Sequence, residues 1–402
     1  ESENLKKIME HIFGEIIANY YIQVRYEGKT LNEKSDYQKL IEQTISCQKN
    51  KFRPNKEFEE YSLDKFEWEI VEKNNNSVVV LSNPPSDISS LIDIKNNDDI
   101  NKKRIELISY IFKNEVNYNT KIPTVIEKNI SDDKYSHLIN LDSIDKFVIE
   151  MEYGIDSKAY LLLPKIQSGN LIIYHQGHSG DFYNGKETIQ YFLDNNSAVL
   201  AFSMPLTGQN SNPVIESDNF GNFKLLYHDD LIFLKSDNFS PLKLFFEPIF
   251  LSLNYLDQNY SFTNYHMVGI SGGGWTTGVY SALDPRIEKS FVVAGTAPMF
   301  LRFNTPSNFG DYEQMDVDFY KIANYLEQYV MSSSGKGREQ VQIFNKNDPC
   351  CFSGSDFLIY EDEIKNNLLL TGSGNFSINI DENNYKHSIS LDSLKLISEK
   401  IK

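Results

Sequence analysis

The pentapeptide Gly269-Ile270-Ser271-Gly272-Gly273 constrains the fold of this chain more than any other stretch. It follows the apolar run Tyr265-His266-Met267-Val268 and precedes a predicted helix from Gly274 to Leu283. A G-x-S-x-G sequence between a strand and a helix reads as a nucleophile elbow, in which the serine sits on a sharp, strained turn and its Oγ projects above a sheet. Strand and helix approach closely there, so the flanking positions tolerate almost no side chain, and glycine meets that demand. Ser271 is therefore the candidate nucleophile.

Partners for such a serine occur downstream. Gln340-Val341-Gln342-Ile343-Phe344 reads as a buried strand, and Asn345-Lys346-Asn347-Asp348-Pro349 follows it as a tight loop carrying an acid. Phe376-Ser377-Ile378-Asn379-Ile380 reads as the last strand, and the loop from Asp381 to Lys386 then delivers His387 ahead of a C-terminal helical pattern. Asp356, Asp381 and Glu382 compete for the acid position. Asp348 is preferred because it directly follows its strand and precedes proline. Ser271, Asp348 and His387 run in the chain order Ser…Asp…His, which differs from the orders of the chymotrypsin and subtilisin types.

From about Lys146 to the C-terminus (residues 146–402) the chain resembles the α/β-hydrolase superfamily, on the elbow, the Asn347-Asp348-Pro349 loop, the late histidine and Leu171-Ile172-Ile173-Tyr174-His175-Gln176-Gly177-His178-Ser179-Gly180. Many members carry a strand ending in a His-Gly pair whose following loop gives an oxyanion-hole N–H; here Gln176 stands where histidine is usual. The resemblance implies an oxyanion hole made by the Gly272 N–H and the His178 N–H, with Gly177 allowing the turn. It implies an α/β fold: a mostly parallel central sheet with helices on both faces, plus an N-terminal α+β region. It also implies serine hydrolysis of a carboxylic ester, on a small molecule or carbohydrate, through an acyl-enzyme and without cofactor or metal. A peptidase, an acyltransferase and a silent hydrolase-like binding protein remain as alternatives.

The remaining strands fit that frame. Phe147–Met151 and Ala159–Pro164 look like an antiparallel pair around the turn signal at 154–157. Ala198–Phe202 is a continuous apolar run of the kind buried on both faces, preceded by a crossover helix from Lys186 to Asn195 with Ile189, Phe192 and Leu193 on one face. Ser290–Gly295 is the strand after the elbow helix. Further helices are expected near Leu242–Leu256 and Asp316–Met331. The long connections before them leave strand ends on the side where this fold carries its site. Phe220, Phe223, Phe300 and Phe303 either line a substrate face or are ordinary core. His175 and Gln176 either contact substrate or pack the loop. His228, beside Asp229 and Asp230, has the look of a metal cluster, but a solvated loop is the preferred reading.

Residues 1–130 form an accessory or cap region and 131–402 the catalytic domain on this reading. The spacing of Leu5, Ile8, Met9, Ile12, Phe13, Ile16, Ile17 and Tyr20 predicts an amphipathic helix. A second is expected over Tyr37–Ile45, strands over 66–70 and 78–81, and another helix around Lys103–Lys113. No repeat of the propeller kind is visible there, which counts against a prolyl-oligopeptidase-like peptidase. The formal net charge of −17, with no Lys/Arg-rich tract, argues against nucleic acid as a partner. No stretch approaches the roughly 20 apolar residues of a membrane span. The chain begins at Glu1, so an upstream segment and the compartment stay open, as does the oligomeric state. Of the three cysteines, Cys350 and Cys351 lie just beyond Asp348. They read either as small residues shaping the acid loop or as partners of a bridge from Cys47.

Overall fold

The computed structural model describes residues 87–402 apart from Asn114, Val116, 217–221, Leu226, 303–307 and Phe309. The helices and strands expected before residue 87, Cys47, Phe220 and Phe303 lie outside the described residues. In chain order the elements are α1 (Asn97–Phe112), β1 (Val125–Glu127), β2 (Leu141–Glu150), β3 (Asp156–Pro164), β4 (Asn170–His175), α2 (Lys186–Asp194), β5 (Ala198–Phe202), β6 (Val214–Ile215), β7 (Phe223–Lys224), α3 (Lys243–Asn259), β8 (Asn264–Ile270), α4 (Gly272–Leu283), β9 (Ile287–Val293), α5 (Tyr312–Met315), α6 (Val317–Ile322), α7 (Tyr325–Ser333), β10 (Glu339–Asn345), α8 (Glu361–Thr371), β11 (Asn375–Asp381) and α9 (Leu391–Lys400).

Nine strands form one sheet in the order β1-β2-β3-β5-β4-β8-β9-β10-β11. The pairs from β1 through β3 to β5 are antiparallel, and every pair from β5 to β11 is parallel. The parallel strands need helical crossovers, and the chain supplies them with apolar faces. In α2, Ile189, Phe192 and Leu193 are fully buried. Burial of such side chains is worth roughly 2 kcal/mol each before the entropy of ordering them is subtracted. The middle strands β4 and β5 are apolar on both faces because helices cover both.

Capping sets several boundaries that apolar periodicity left open. Helix α1 starts six residues before the expected Lys103 because the Asn96 side chain accepts from the Asp98 and Asp99 N–H groups, and those two acids favour the positive helix end. Its side chains reach later elements of the chain: Arg104 Nε donates to Ala282 O and the Tyr110 hydroxyl to Asp316. The single helix expected over Asp316–Met331 is two helices with a short one before them. The Asp316 side chain caps α6, and Asn324 with Glu327 forms a reciprocal cap on α7, so the backbone leaves helical geometry between them. The strand expected to reach Gly295 ends at Val293. Among the described residues no helix is long and apolar enough to cross a membrane.

One feature of the topology places the site. From β4 the chain crosses to β5 on one side, and β8 later joins β4 on the other. The carboxyl ends of β4 and β8 are therefore neighbours at the point where strand order reverses, with His175 level with Gly269. Crevices for ligands form at such a switch point.

Candidate active site

Ser271 ends β8 and opens α4 with φ 57° and ψ −128°. This is a positive-φ conformation that costs a side-chain-bearing residue on the order of 1–3 kcal/mol. The surroundings hold it: its N–H donates to Val293 O at 2.9 Å, and its carbonyl accepts from the Trp275 N–H at 2.9 Å. Trp275 is fully buried, and its indole N–H donates to the Tyr320 hydroxyl at 2.7 Å, which anchors the first turn of the helix. Position 273 must be glycine, since a Cβ there would lie 2.1 Å from His175 O.

The loop after β4 lies against this serine. A Cβ on Gly177 would come within 2.7 Å of Ser271 Cβ and 3.3 Å of its Oγ. The Gly177 and His178 amides have no intramolecular acceptor among the described residues. The Gly272 N–H belongs to the first turn of α4, where amides have no helical partner. Free backbone donors thus flank Ser271 on two segments.

The Asp348 carboxylate and the His387 ring meet at the ends of β10 and β11, with Asp348 Oδ2 2.9 Å from His387 Nδ1. Burial alone would raise the Asp348 pKa. The hydrogen bonds from His387 and from the Cys350 N–H outweigh it and hold the carboxyl below its usual range. An ionised carboxylate only accepts, so Nδ1 carries the proton, and in the neutral ring Nε2 then presents a lone pair. Asp356, Asp381 and Glu382 are engaged elsewhere. Asp356 begins a 3-10 turn, Asp381 accepts from Asn383, Asn384 and Ser390, and Glu382 pairs with Lys346. Among the described residues no hydrogen bond joins Ser271 to His387, and Nε2 lies 4.0 Å from Cys351 Sγ. Such contacts are often long before substrate binds.

Two asparagines that the sequence did not single out organise the histidine loop. Asn345, fully buried, donates to Asp348 Oδ2 at 3.1 Å and to the carbonyls of Lys386 and Ser388, on either side of His387, at 3.2 Å each. Asn384 donates to Asn345 Oδ1 at 3.0 Å and to Ser388 O at 2.8 Å. The only available signal was proximity: Asn345 stands three residues before the acid and Asn384 three before the histidine.

Cys350 and Cys351 are joined to each other. This leaves neither sulfur for the expected bridge from Cys47, and it adds a bond that the reading of the pair as small residues shaping the acid loop did not include. The turn that brings both of their N–H groups onto Asp348 Oδ1 also brings the two sulfurs together.

His175 is buried, stacks on Phe202, and donates from Nδ1 to Gln176 O at 2.9 Å. Burial lowers its pKa to about 4. The Gln176 side chain accepts from the Tyr174 hydroxyl and donates to Ser179. Phe300 is buried in the turn Met299–Leu301, and Phe223 stacks edge-on with Phe233. His228 does not lie in a solvated loop. It is 4 % exposed, starts the 3-10 turn His228–Leu234, and donates from Nε2 to Pro205 O at 2.8 Å. Its ring lies 4.7 Å from that of His178, and both face Asp311 and Glu313. Burial opposes charge on His228, but Glu313 outweighs it and raises the pKa to about 9. Burial would likewise raise the Glu313 pKa, and the two histidines instead hold it well below the carboxylate range.

Two surface clefts, one lined by Lys113, Glu115, Glu152 and Lys243 and the other by Arg104, Asp257 and Arg286, contain none of these residues.

No protein-family model matches the chain, and no curated protein sequence matches it. Solved structures do match in fold. An acetyl xylan esterase from Paenibacillus sp. superposes with a TM-score of 0.52 at 15 % identity, over 79 % of this chain and 98 % of its own. Acetyl xylan esterase 1 from Thermoanaerobacterium sp. gives 0.51 at 14 % identity, over 78 % and 98 %. With the sheet order above, these establish the α/β-hydrolase fold for this chain.

Proposed function

We propose that this chain is a serine hydrolase that cleaves a carboxylic ester, with Ser271, His387 and Asp348 as its triad. The observation that carries the proposal is the Asp348–His387 pair at 2.9 Å, in strand-end loops on the same edge of the sheet as the strained Ser271 turn. His387 Nε2 takes the Ser271 proton as Oγ adds to the acyl carbon. The Gly272 and His178 N–H groups stabilise the resulting oxyanion, an effect worth about 3–4 kcal/mol per donor. Collapse expels the alcohol, which receives the proton from His387. Water then attacks the acyl-enzyme by the same route and releases the acid. Asp348 keeps His387 in the Nδ1–H tautomer and stabilises the imidazolium.

The substrate class we favour is an acyl ester on a carbohydrate, in line with the fold neighbours that are acetyl xylan esterases. Exposure to a fluorophosphonate should label wild-type protein at Ser271, confirmed by peptide mass. Ser271→Ala should remain folded, unlabelled and inactive on acetylated sugars and p-nitrophenyl acetate. An unlabelled wild type, or near-normal ester turnover by Ser271→Ala, would defeat the proposal.

A further inference from the structure

Beside the oxyanion loop, four side chains from three separate segments converge on one point: His178, His228, Asp311 and Glu313. One ligand atom from each lies within 4.8 Å of all the others. His178 Nε2 is 3.0 Å from Glu313 Oε1 and 3.2 Å from Asp311 Oδ2. His228 Nδ1 is 3.5 Å from Glu313 Oε1 and 4.0 Å from Asp311 Oδ2. A tetrahedral ion with bonds of about 2.0–2.1 Å to nitrogen and oxygen places neighbouring donors about 3.3–3.4 Å apart, close to the three shorter separations, while the His228–Asp311 pair is wider.

The hydrogen bonding points to a cation-binding cluster. His228 donates from Nε2 to Pro205 O, so in its neutral form the Nδ1 lone pair is aimed at two carboxylates. Among the described residues neither that Nδ1 nor Glu313 Oε2, both buried, has a hydrogen-bond partner within bonding distance. Buried polar atoms are seldom left unpaired, and a cation among these donors would take the place of the proton that Glu313 otherwise holds on His228. An imidazole whose second nitrogen donates to a backbone carbonyl is also the arrangement that orients metal-ligating histidines.

We infer that His178, His228, Asp311 and Glu313 form a binding site for one divalent transition-metal ion, with Zn2+ the best match. Two imidazoles among four donors fit Zn2+ better than Ca2+ or Mg2+, which prefer more ligands and oxygen alone. The ion ties the loop after β4 to the His228 turn and to the segment entering α5. It thereby fixes the position of the loop whose Gly177 backbone lies against Ser271. The binding itself does not depend on the ester-cleaving proposal.

The test uses the full chain, stripped with a chelator and titrated with Zn2+ by calorimetry, with Co2+ as a spectroscopic stand-in. Expected are one equivalent bound with Kd below about 10 μM, a Tm that rises with Zn2+, and the intense visible bands of tetrahedral Co2+. The half-exposed Asp311 allows a mild Asp311→Asn variant, and Asp311→Asn with Glu313→Gln should weaken binding at least about tenfold. Binding should survive Cys350→Ser with Cys351→Ser, which removes the sulfurs of the other group of metal-capable side chains, Cys350, Cys351 and His387. Weaker binding by the wild type, affinity unchanged in the carboxylate variant, or loss in the cysteine variant would each overturn the assignment. The first of these would leave a protonated His228–Glu313 ion pair as the account of the cluster.

Discussion

Replacing Asp348 by asparagine tests the proposed triad at its most constrained atom. Oδ1 of Asp348 accepts from the Cys350 N–H at 2.9 Å and the Cys351 N–H at 3.4 Å, and Oδ2 accepts from His387 Nδ1 and Asn345 Nδ2. An asparagine here has one acceptor oxygen for two sets of donors. Placing its oxygen at Oδ1 keeps the two backbone bonds and turns its NH2 toward His387. His387 then meets a donor and must carry its proton on Nε2, where it cannot take one from serine. Placing the oxygen at Oδ2 instead sets the NH2 against two backbone N–H groups held by the turn. The first arrangement should win, because a side-chain proton moves more readily than the 348–351 backbone. A wrong tautomer in a triad costs about 10^4 in kcat, or about 5 kcal/mol of barrier. The assay is steady-state hydrolysis of p-nitrophenyl acetate beside a thermal melt. Asp348→Asn should lose about 10^4 in kcat with a small change in KM and remain folded. A folded variant that keeps more than about a tenth of wild-type kcat would refute the tautomer argument and Asp348 as the acid.

Other outcomes follow from the same geometry. His266 is 1 % exposed, neither ring nitrogen has a hydrogen-bond partner among the described residues, and burial lowers its pKa from 6.5 to about 4. The unfolded chain binds this proton more readily than the folded one, so stability should fall as pH drops from 6.5 through 4. The gap corresponds to about 3 kcal/mol. His266→Leu should flatten that acid limb in urea melts at pH 7.5 and 4.5, and an unchanged limb would count against a buried neutral imidazole. Gly273→Ala sets a Cβ 2.1 Å from His175 O, so strand and helix must separate; a Tm drop corresponding to about 1–3 kcal/mol and loss of ester turnover are expected. An alanine variant that melts and turns over like wild type would contradict the close approach. Thiol titration of denatured protein should yield two more thiols after reduction than before, and no increase would exclude the Cys350–Cys351 bond.

Much of the site could be placed from the chain alone. Glycines around Ser271 declare a strand–helix contact too close for side chains, and an acid or histidine just after a buried strand lands at the sheet's carboxyl edge, whatever the details of packing. Such signals are local: they depend on residues within one or two turns of each other. The breaks at Asp316 and Asn324 were less legible, because capping by a side chain competes with an uninterrupted apolar pattern. The clamp of Asn345 on the carbonyls beside His387 lay beyond the sequence, since it joins positions 41 and 43 residues apart. So did the meeting of His178 with His228, Asp311 and Glu313. Asp311 and Glu313 have unremarkable neighbours in the chain, and nothing local links them to His178 or His228 until the fold brings three segments to one corner. The chain alone specified the tight serine turn, the order of the proposed partners and the wound sheet that carries them. Tertiary structure decided which polar atoms face one another. Hydrogen bonds and ion contacts act over about 3 Å, and only the folded chain sets distances on that scale between residues far apart in sequence.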